Sequence, residues 1–154
     1  ASAISIFDED KSVNDNIHEI PEYSIMTPHV GEFKSFFQLD DIYYTEIRNI
    51  QDIISERIII LKSFNTFIIT KDMIYIMDKG PSLLATAGTG DVLSGILVSL
   101  LSQGYSRLEA SILGTYLHAE AANYYMNKIS KDGMTASDLI DCIPHAFNIL
   151  RNNE

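Results

Sequence analysis

The spacing of apolar residues changes character along this chain, and each change predicts a different kind of element. Ser2 to Phe7 is a short apolar piece, followed by an acidic stretch, Asp8 to Asn16, that reads as a solvated loop. Tyr23 to Met26 predicts a buried strand ending at Thr27-Pro28, because proline has no N–H with which to continue a ladder. Gly31 to Phe37 puts Phe33, Phe36 and Phe37 on one face of a short helix. Between Thr45 and Ser55, Ile47, Ile50, Ile53 and Ile54 again follow helical spacing. Arg57 to Leu61 is instead a continuous apolar, β-branched run, the pattern of a strand covered on both faces. Thr66 to Thr70 and Met73 to Met77 flank Lys71-Asp72 and read as a hairpin.

After Gly80 the pattern becomes helical. Asp91 to Gln103 turns Leu93, Ile96, Leu97, Leu100 and Leu101 inward, and Gly104 supplies a stop. Arg107 to Ile129 is a long helix whose small residues, Ala110, Gly114, Ala119, Ala121 and Ala122, suit close packing. Ser137 to Leu150 is a third helix, opened by the capping pattern Thr135-x-x-Asp138. Pro144 inside it predicts a kink or a later start. Sheet pieces followed by packed helices make an α/β layered fold, and residues 1–154 carry no domain boundary.

Composition adds exclusions. Asp and Glu number 21 against 11 Lys and Arg, a formal net charge of -10, which argues against a nucleic-acid surface. An anionic ligand must then be held by local features, because the overall field repels it. Cys142 is the only cysteine, so there is no disulfide framework and no Cys-based zinc site, and in LIDCIPHAF it reads as a small buried hydrophobe. No apolar run is long enough to cross a bilayer, which makes the cytoplasm the expected location and a membrane partner unexpected. The chain starts at Ala1 within an apolar run, ASAISIF, whereas domain ends are usually polar, so further sequence is expected upstream.

The candidate chemistry lies in Ala85 to Gly95, ATAGTGDVLSG. Gly88-Thr89-Gly90 can turn tightly and point successive N–H groups into one concavity, and the helix that follows adds its positive end. Such a spot favours a phosphate or a developing negative charge. Asp91 in the first turn is a carboxylate beside that anion hole, the equipment for deprotonating a hydroxyl while phosphate arrives on it. On four residues alone the plainer reading, a glycine loop with an ordinary acidic helix start, is favoured, since short glycine motifs are frequent.

The wider succession reverses that. TPHVGEF (Thr27 to Phe33), Leu61-Lys62 with Thr66, ATAGTGDVLSG, Gln103-Gly104, Tyr116-Leu117-His118, MTASDL (Met134 to Leu139) and Ile143-Pro144 follow one another in order. In this succession the chain resembles the ADP/ATP-dependent NAD(P)H-hydrate dehydratases, a branch of the ribokinase-like superfamily, over nearly its whole length. GTGD is shared with many ribokinase-like kinases; TPH-x-GEF and the later segments are more specific to the dehydratases. The family's domain is longer and has an Asp-Ala-Asp-Ala-Leu motif before TPH, of which Ala1-Ser2-Ala3-Ile4 looks like the remainder. The resemblance thus implies a ribokinase-like layered sheet with packed helices, truncated at its N-terminus.

It also implies roles. Asp91 is the catalytic carboxylate and touches the hydrated nicotinamide, and His29 is the substrate-contacting histidine of TPH. Gly90, with the amides of Gly88 and Thr89, lies against the nucleotide phosphates. Lys62, Ser63, Phe64, Asn65 and Thr66 match the family's K-G-x-x-T segment bordering the adenine nucleotide, with Ser63 where glycine is usual. The implied reaction is ADP- or ATP-dependent dehydration of NADH or NADPH hydrate, with Mg²⁺ accompanying the nucleotide and no protein metal ligand assigned. A homo-oligomer is implied as well. Taken without the resemblance, His29 is a turn residue, Lys62 a solvated charge, and Glu32 a support for the His29 turn or a favourable helix start. His118 reads as a packed or capping helix residue rather than a catalyst. Two alternatives stand beside the dehydratase: a kinase for a vitamin-precursor alcohol, which leaves TPHVGEF unaccounted for, and a non-catalytic nucleotide-binding module.

Overall fold

The computed structural model describes residues 12–152; the expectations for Ser2 to Phe7 and for Ala1 to Ile4 fall outside them. The chain forms two compact units, divided after Ile76.

The first unit opens with α1, Val13–Glu19, where the sequence pattern predicts solvated loop through Asn16. The correction has a local cause. Ser12 accepts the Asp15 N–H at 3.1 Å and so caps the helix, while Ile17 and Asn16 turn inward. Within an acidic run the Ser12-x-x-Asp15 cap was the only start signal. Strand β1 is Ile25–Met26, shorter than predicted, because Tyr23 adopts a positive φ of 68° and stays exposed. Helices α2, Val30–Phe36, and α3, Tyr44–Ile54, follow, then β2, Ile58–Leu61, β3, Thr66–Ile69, and β4, Ile74–Met77.

The sheet order is β1-β2-β3-β4, parallel between β1 and β2 and antiparallel between β2 and β3. A Thr70 N–H to Met73 carbonyl bond of 2.9 Å closes the predicted turn between β3 and β4. All four β2 residues are buried, which is why the run lacks alternation. Its Ile59 and Leu61 join Phe33, Phe36, Phe37, Ile47, Ile50 and Ile54 in one apolar core, as the helical spacings of α2 and α3 require.

The second unit carries a 3-10 turn, Ser82–Ala85, and three helices: α4, Thr89–Ser102, α5, Arg107–Lys128, and α6, Ala136–Asn152. Leu93, Ile96, Leu97 and Leu100 of α4 are buried as predicted, but Leu101 is not; it sits at the edge of the apolar stripe and is 36% exposed. Ala110, Leu117, Ala121 and Ala122 of α5 meet Leu139, Cys142 and Ala146 of α6. Gly114 lets the helices approach: a Cβ there would come within 2.9 Å of Leu97 Cδ2. Burial pushes the Cys142 thiol pKa up, with the charges of Asp138 and Asp141 adding to it, so this cysteine is a packing residue. Helix α6 runs through Pro144 without ending there.

The α6 start is capped reciprocally: Thr135 Oγ1 accepts the Asp138 N–H at 3.2 Å, and the Thr135 N–H and hydroxyl both donate to Asp138 Oδ2. Those two donors hold the Asp138 carboxyl below its ordinary value, the hydroxyl contributing most. A lowered native pKa gives stability that is present above the unfolded value of 3.8 and is lost as pH falls through the native one. Thermal melting followed from neutral pH to well below 3.8 is expected to show a steeper acid loss for the native chain than for Asp138→Asn.

Candidate functional site

In the first unit, the site residues gather where β2 ends beside the segment entering α2. The Lys62 N–H donates to the Pro28 carbonyl at 2.9 Å, and His29 pairs with Lys62 in a parallel bridge. TPH and KSFNT, 33 residues apart from His29 to Lys62 by sequence number, are therefore neighbours in space. His29 caps α2: its Nδ1 accepts the Glu32 N–H at 3.1 Å, while Glu32 Oε2 accepts the His29 N–H at 2.9 Å. Glu32 thus supports the His29 turn, one of the two readings open to it. Because Nδ1 accepts, Nε2 is the ring nitrogen left to carry a proton, and it lies 3.6 Å from Glu32 Oε2. Ser63 and Phe64 form the exposed tip of the β2–β3 turn, Phe64 being 98% exposed, and Asn65 and Thr66 are half-buried. Ser63 is not among the residues with positive φ, so the backbone there has no need of glycine.

In the second unit, Gly88 is the hinge into α4. Its φ of 86° and ψ of -16° are left-handed, a conformation that penalises a side chain, and an added Cβ would lie 3.1 Å from Ala136 Cβ. The Gly88 carbonyl accepts from the N–H groups of Asp91 and Val92, both at 3.1 Å, starting the helix. The Thr89 hydroxyl is shared between the carbonyls of Leu84 and Thr86, at 2.7 and 2.8 Å, and the Thr89 N–H also turns to Thr86. The Thr89 amide is therefore occupied inside the loop. The N–H groups of Gly88 and Gly90 make no hydrogen bond among the described residues, and these are the donors open to an anion at the positive end of α4.

Asp91 is exposed in that first turn. With Gly88 it lines a cavity of about 590 Å³ along the seam of α4 and α6, continued by Val92, Gly95, Ile140 and Phe147. Small-molecule sites span roughly 300–1,000 Å³. Among the described residues lining the cavity, Asp91 is the one ionisable side chain in an otherwise largely apolar wall. No local sequence pattern marks this cavity beyond the recurrence of Gly88, Asp91, Gly95 and Ser99 at helical spacing along α4. Among the described residues no group of three or more His, Cys, Asp or Glu could hold a metal ion.

A family model described as NAD(P)H-hydrate dehydratase matches residues 1–145. The chain belongs to the NAD(P)H-hydrate dehydratase family. The ADP-dependent (S)-NAD(P)H-hydrate dehydratase of Neisseria meningitidis is 33% identical over 158 residues, an alignment covering 99% of this chain and 52% of that protein. The bifunctional NAD(P)H-hydrate repair enzyme of Dictyoglomus turgidum is 33% identical over 129 residues, covering 80% of this chain and 25% of that protein. This chain therefore spans about half of the first relative and a quarter of the second. The Bacillus subtilis ADP/ATP-dependent NAD(P)H-hydrate dehydratase, co-crystallised with ATP and Mg²⁺, superposes with a TM-score of 0.69 at 25% identity over 80% of this chain and 48% of its own. A ribokinase-like superfamily protein from Enterococcus faecalis superposes at 0.74 and 22% identity over 96% of this chain and 51% of its own. The ribokinase-like fold implied by the sequence is thus the fold found.

Replacing Gly88 by alanine is expected to destabilise the chain by about 1–2 kcal/mol through the left-handed backbone alone. Urea denaturation of Gly88→Ala against the native chain measures it; no loss would show that the turn tolerates another conformation.

Proposed function

We propose that the protein carrying this chain dehydrates hydrated NADH and NADPH at the expense of an adenine nucleotide, ADP or ATP, with Asp91 as its catalytic base. The observation that carries this reading is the placement of Asp91 one residue beyond the open Gly90 amide, at the start of α4 and at the mouth of a mostly apolar cavity. Family membership and the names of the Neisseria and Bacillus relatives support it.

The chemistry follows from the groups present. Asp91 takes the proton of the ring hydroxyl as that oxygen attacks the terminal phosphorus of the nucleotide. The phosphoanhydride bond breaks, and the nucleotide leaves one phosphate shorter. The negative charge that builds on the transferring phosphoryl group meets the Gly88 and Gly90 N–H groups and the α4 dipole. The ring C–O bond then breaks, phosphate departs, the neighbouring carbon gives up a proton, and the ring double bond is restored. The protein contributes positioning and charge stabilisation rather than covalent chemistry. In the first unit, His29 contacts the substrate and Lys62 to Thr66 border the nucleotide, with the His29–Lys62 bridge keeping those two segments in register. Mg²⁺ accompanying the nucleotide would offset the charge of its phosphates.

Residues 1–154 form part of one catalytic domain in this reading, acting in the cytoplasm as a homo-oligomer. No helix among the described residues is long and apolar enough to cross a membrane.

Asp91→Asn in the full-length protein is expected to lower NADH-hydrate dehydration by about 10²–10⁴-fold, the usual contribution of a general base, while nucleotide binding persists. Recovery of the dihydronicotinamide absorbance in the presence of ATP or ADP reads the rate. A normal rate for the Asn variant contradicts the assignment, and accumulation of a stable phosphorylated product would indicate a kinase instead.

A further inference from the structure

Beyond Asp91 and the glycines, one buried polar side chain reaches the phosphate turn from another helix. His118 of α5 is 6% exposed, and its Nε2 lies 2.8 Å from the Thr89 carbonyl oxygen. A carbonyl only accepts, so Nε2 carries the proton and donates it. We infer that His118 is a positioning residue of the anion hole: by holding the Thr89 carbonyl, it aims the Gly90 N–H at the phosphoryl group.

The argument runs through one peptide plane. The Thr89 carbonyl and the Gly90 N–H belong to the same planar trans peptide and point in opposite directions. Fixing the oxygen therefore fixes the hydrogen. In the first turn of α4 the carbonyl points along the helix and the Gly90 N–H points out of its N-terminal end, where an anion would sit. A donor on the carbonyl also polarises the amide and strengthens its N–H as a donor, since linked hydrogen bonds reinforce each other away from water. The plane is braced on both sides. Before it, the Thr89 hydroxyl is tied to Leu84 and Thr86; after it, the Gly90 carbonyl accepts from Ser94 Oγ at 3.1 Å. Of these ties, His118 alone comes from a different helix, so it also fixes where α4 begins relative to α5. Glycine at position 90 contributes no side chain of its own to hold this plane, which gives the external donor its purpose.

This inference rests on the dehydratase reading, and the test separates the two. Three variants of the full-length protein are compared by dehydration kinetics with ATP and by thermal melting. His118→Gln puts an N–H donor where Nε2 stands, His118→Asn puts its amide where Nδ1 stands, short of Thr89, and His118→Leu removes the donor. The Leu and Asn variants are expected to lose about ten- to hundredfold in kcat, the scale of a small misplacement, with a smaller change in the nucleotide KM. The Gln variant is expected to recover most of the rate. A Gln variant as slow as the Asn variant overturns the inference, as does a folded Leu variant with native kcat. If the native full-length protein shows no dehydration with ATP or ADP, the dehydratase reading itself has failed; if it is active and the folded His118 variants all keep the native kcat, only the role of His118 has.

Discussion

Gly88 enters α4 with its backbone in the left-handed region, and from that single turn the rest of the proposed phosphate site takes its direction. The turn lets the Gly88 carbonyl receive the Asp91 and Val92 amides while the Gly88 and Gly90 N–H groups stay outside the helix. It brings the chain close to Ala136 at the start of α6, where a Cβ at position 88 would lie 3.1 Å from Ala136 Cβ, tighter than ordinary contact. The helix dipole then adds to the two amides at the same point, so a net negative chain can still attract an anion there. The local geometry acts against the overall field over distances shorter than a Debye length.

The supports of this turn form a layered arrangement. Thr89 is buried and spends its hydroxyl and its amide on the loop that precedes it, which removes it from the set of anion donors but holds the loop in place. His118 holds the next carbonyl from α5, and α5 is itself seated on α6 by alanines and on α4 by Gly114. In the proposed mechanism close helix packing is connected to catalysis by short links: small residues set the helix separation, the separation sets the reach of His118, and that reach orients the Gly90 amide. The capped start of α6, with Thr135 and Asp138, fixes the neighbour that Gly88 must clear.

Much of this was legible in the sequence. The Phe33, Phe36 and Phe37 spacing, the unbroken Ile58–Leu61 run and the Thr135-x-x-Asp138 cap each encode one local structure, and each is found. GTGD carried its turn because glycine at position 88 answers a backbone demand that no other residue meets as easily. The failures share a cause. Helix α1 rests on one serine cap inside an acidic run, and Leu101 lies at the margin of its stripe, where period alone cannot separate inside from outside. The bond from His118 to Thr89 spans 29 residues, and the α4–α6 cavity joins residues as distant as Gly88 and Phe147. Such pairings depend on tertiary packing and leave no local periodic signal. Likewise, Thr89 stands between the two glycines in the chain, but its own N–H bonds to Thr86, a pairing that exists only once the loop is folded.

The account stands on the claim that Gly88 and Gly90 present their amides to the nucleotide phosphates at the head of α4. Amide NMR of the ¹⁵N-labelled full-length protein, titrated with ADP, tests it most directly. The account predicts that the Gly88 and Gly90 resonances shift strongly as ADP saturates, while that of Thr89, already bonded to Thr86, moves less. Saturation with ADP that leaves both glycine amides unmoved would contradict it.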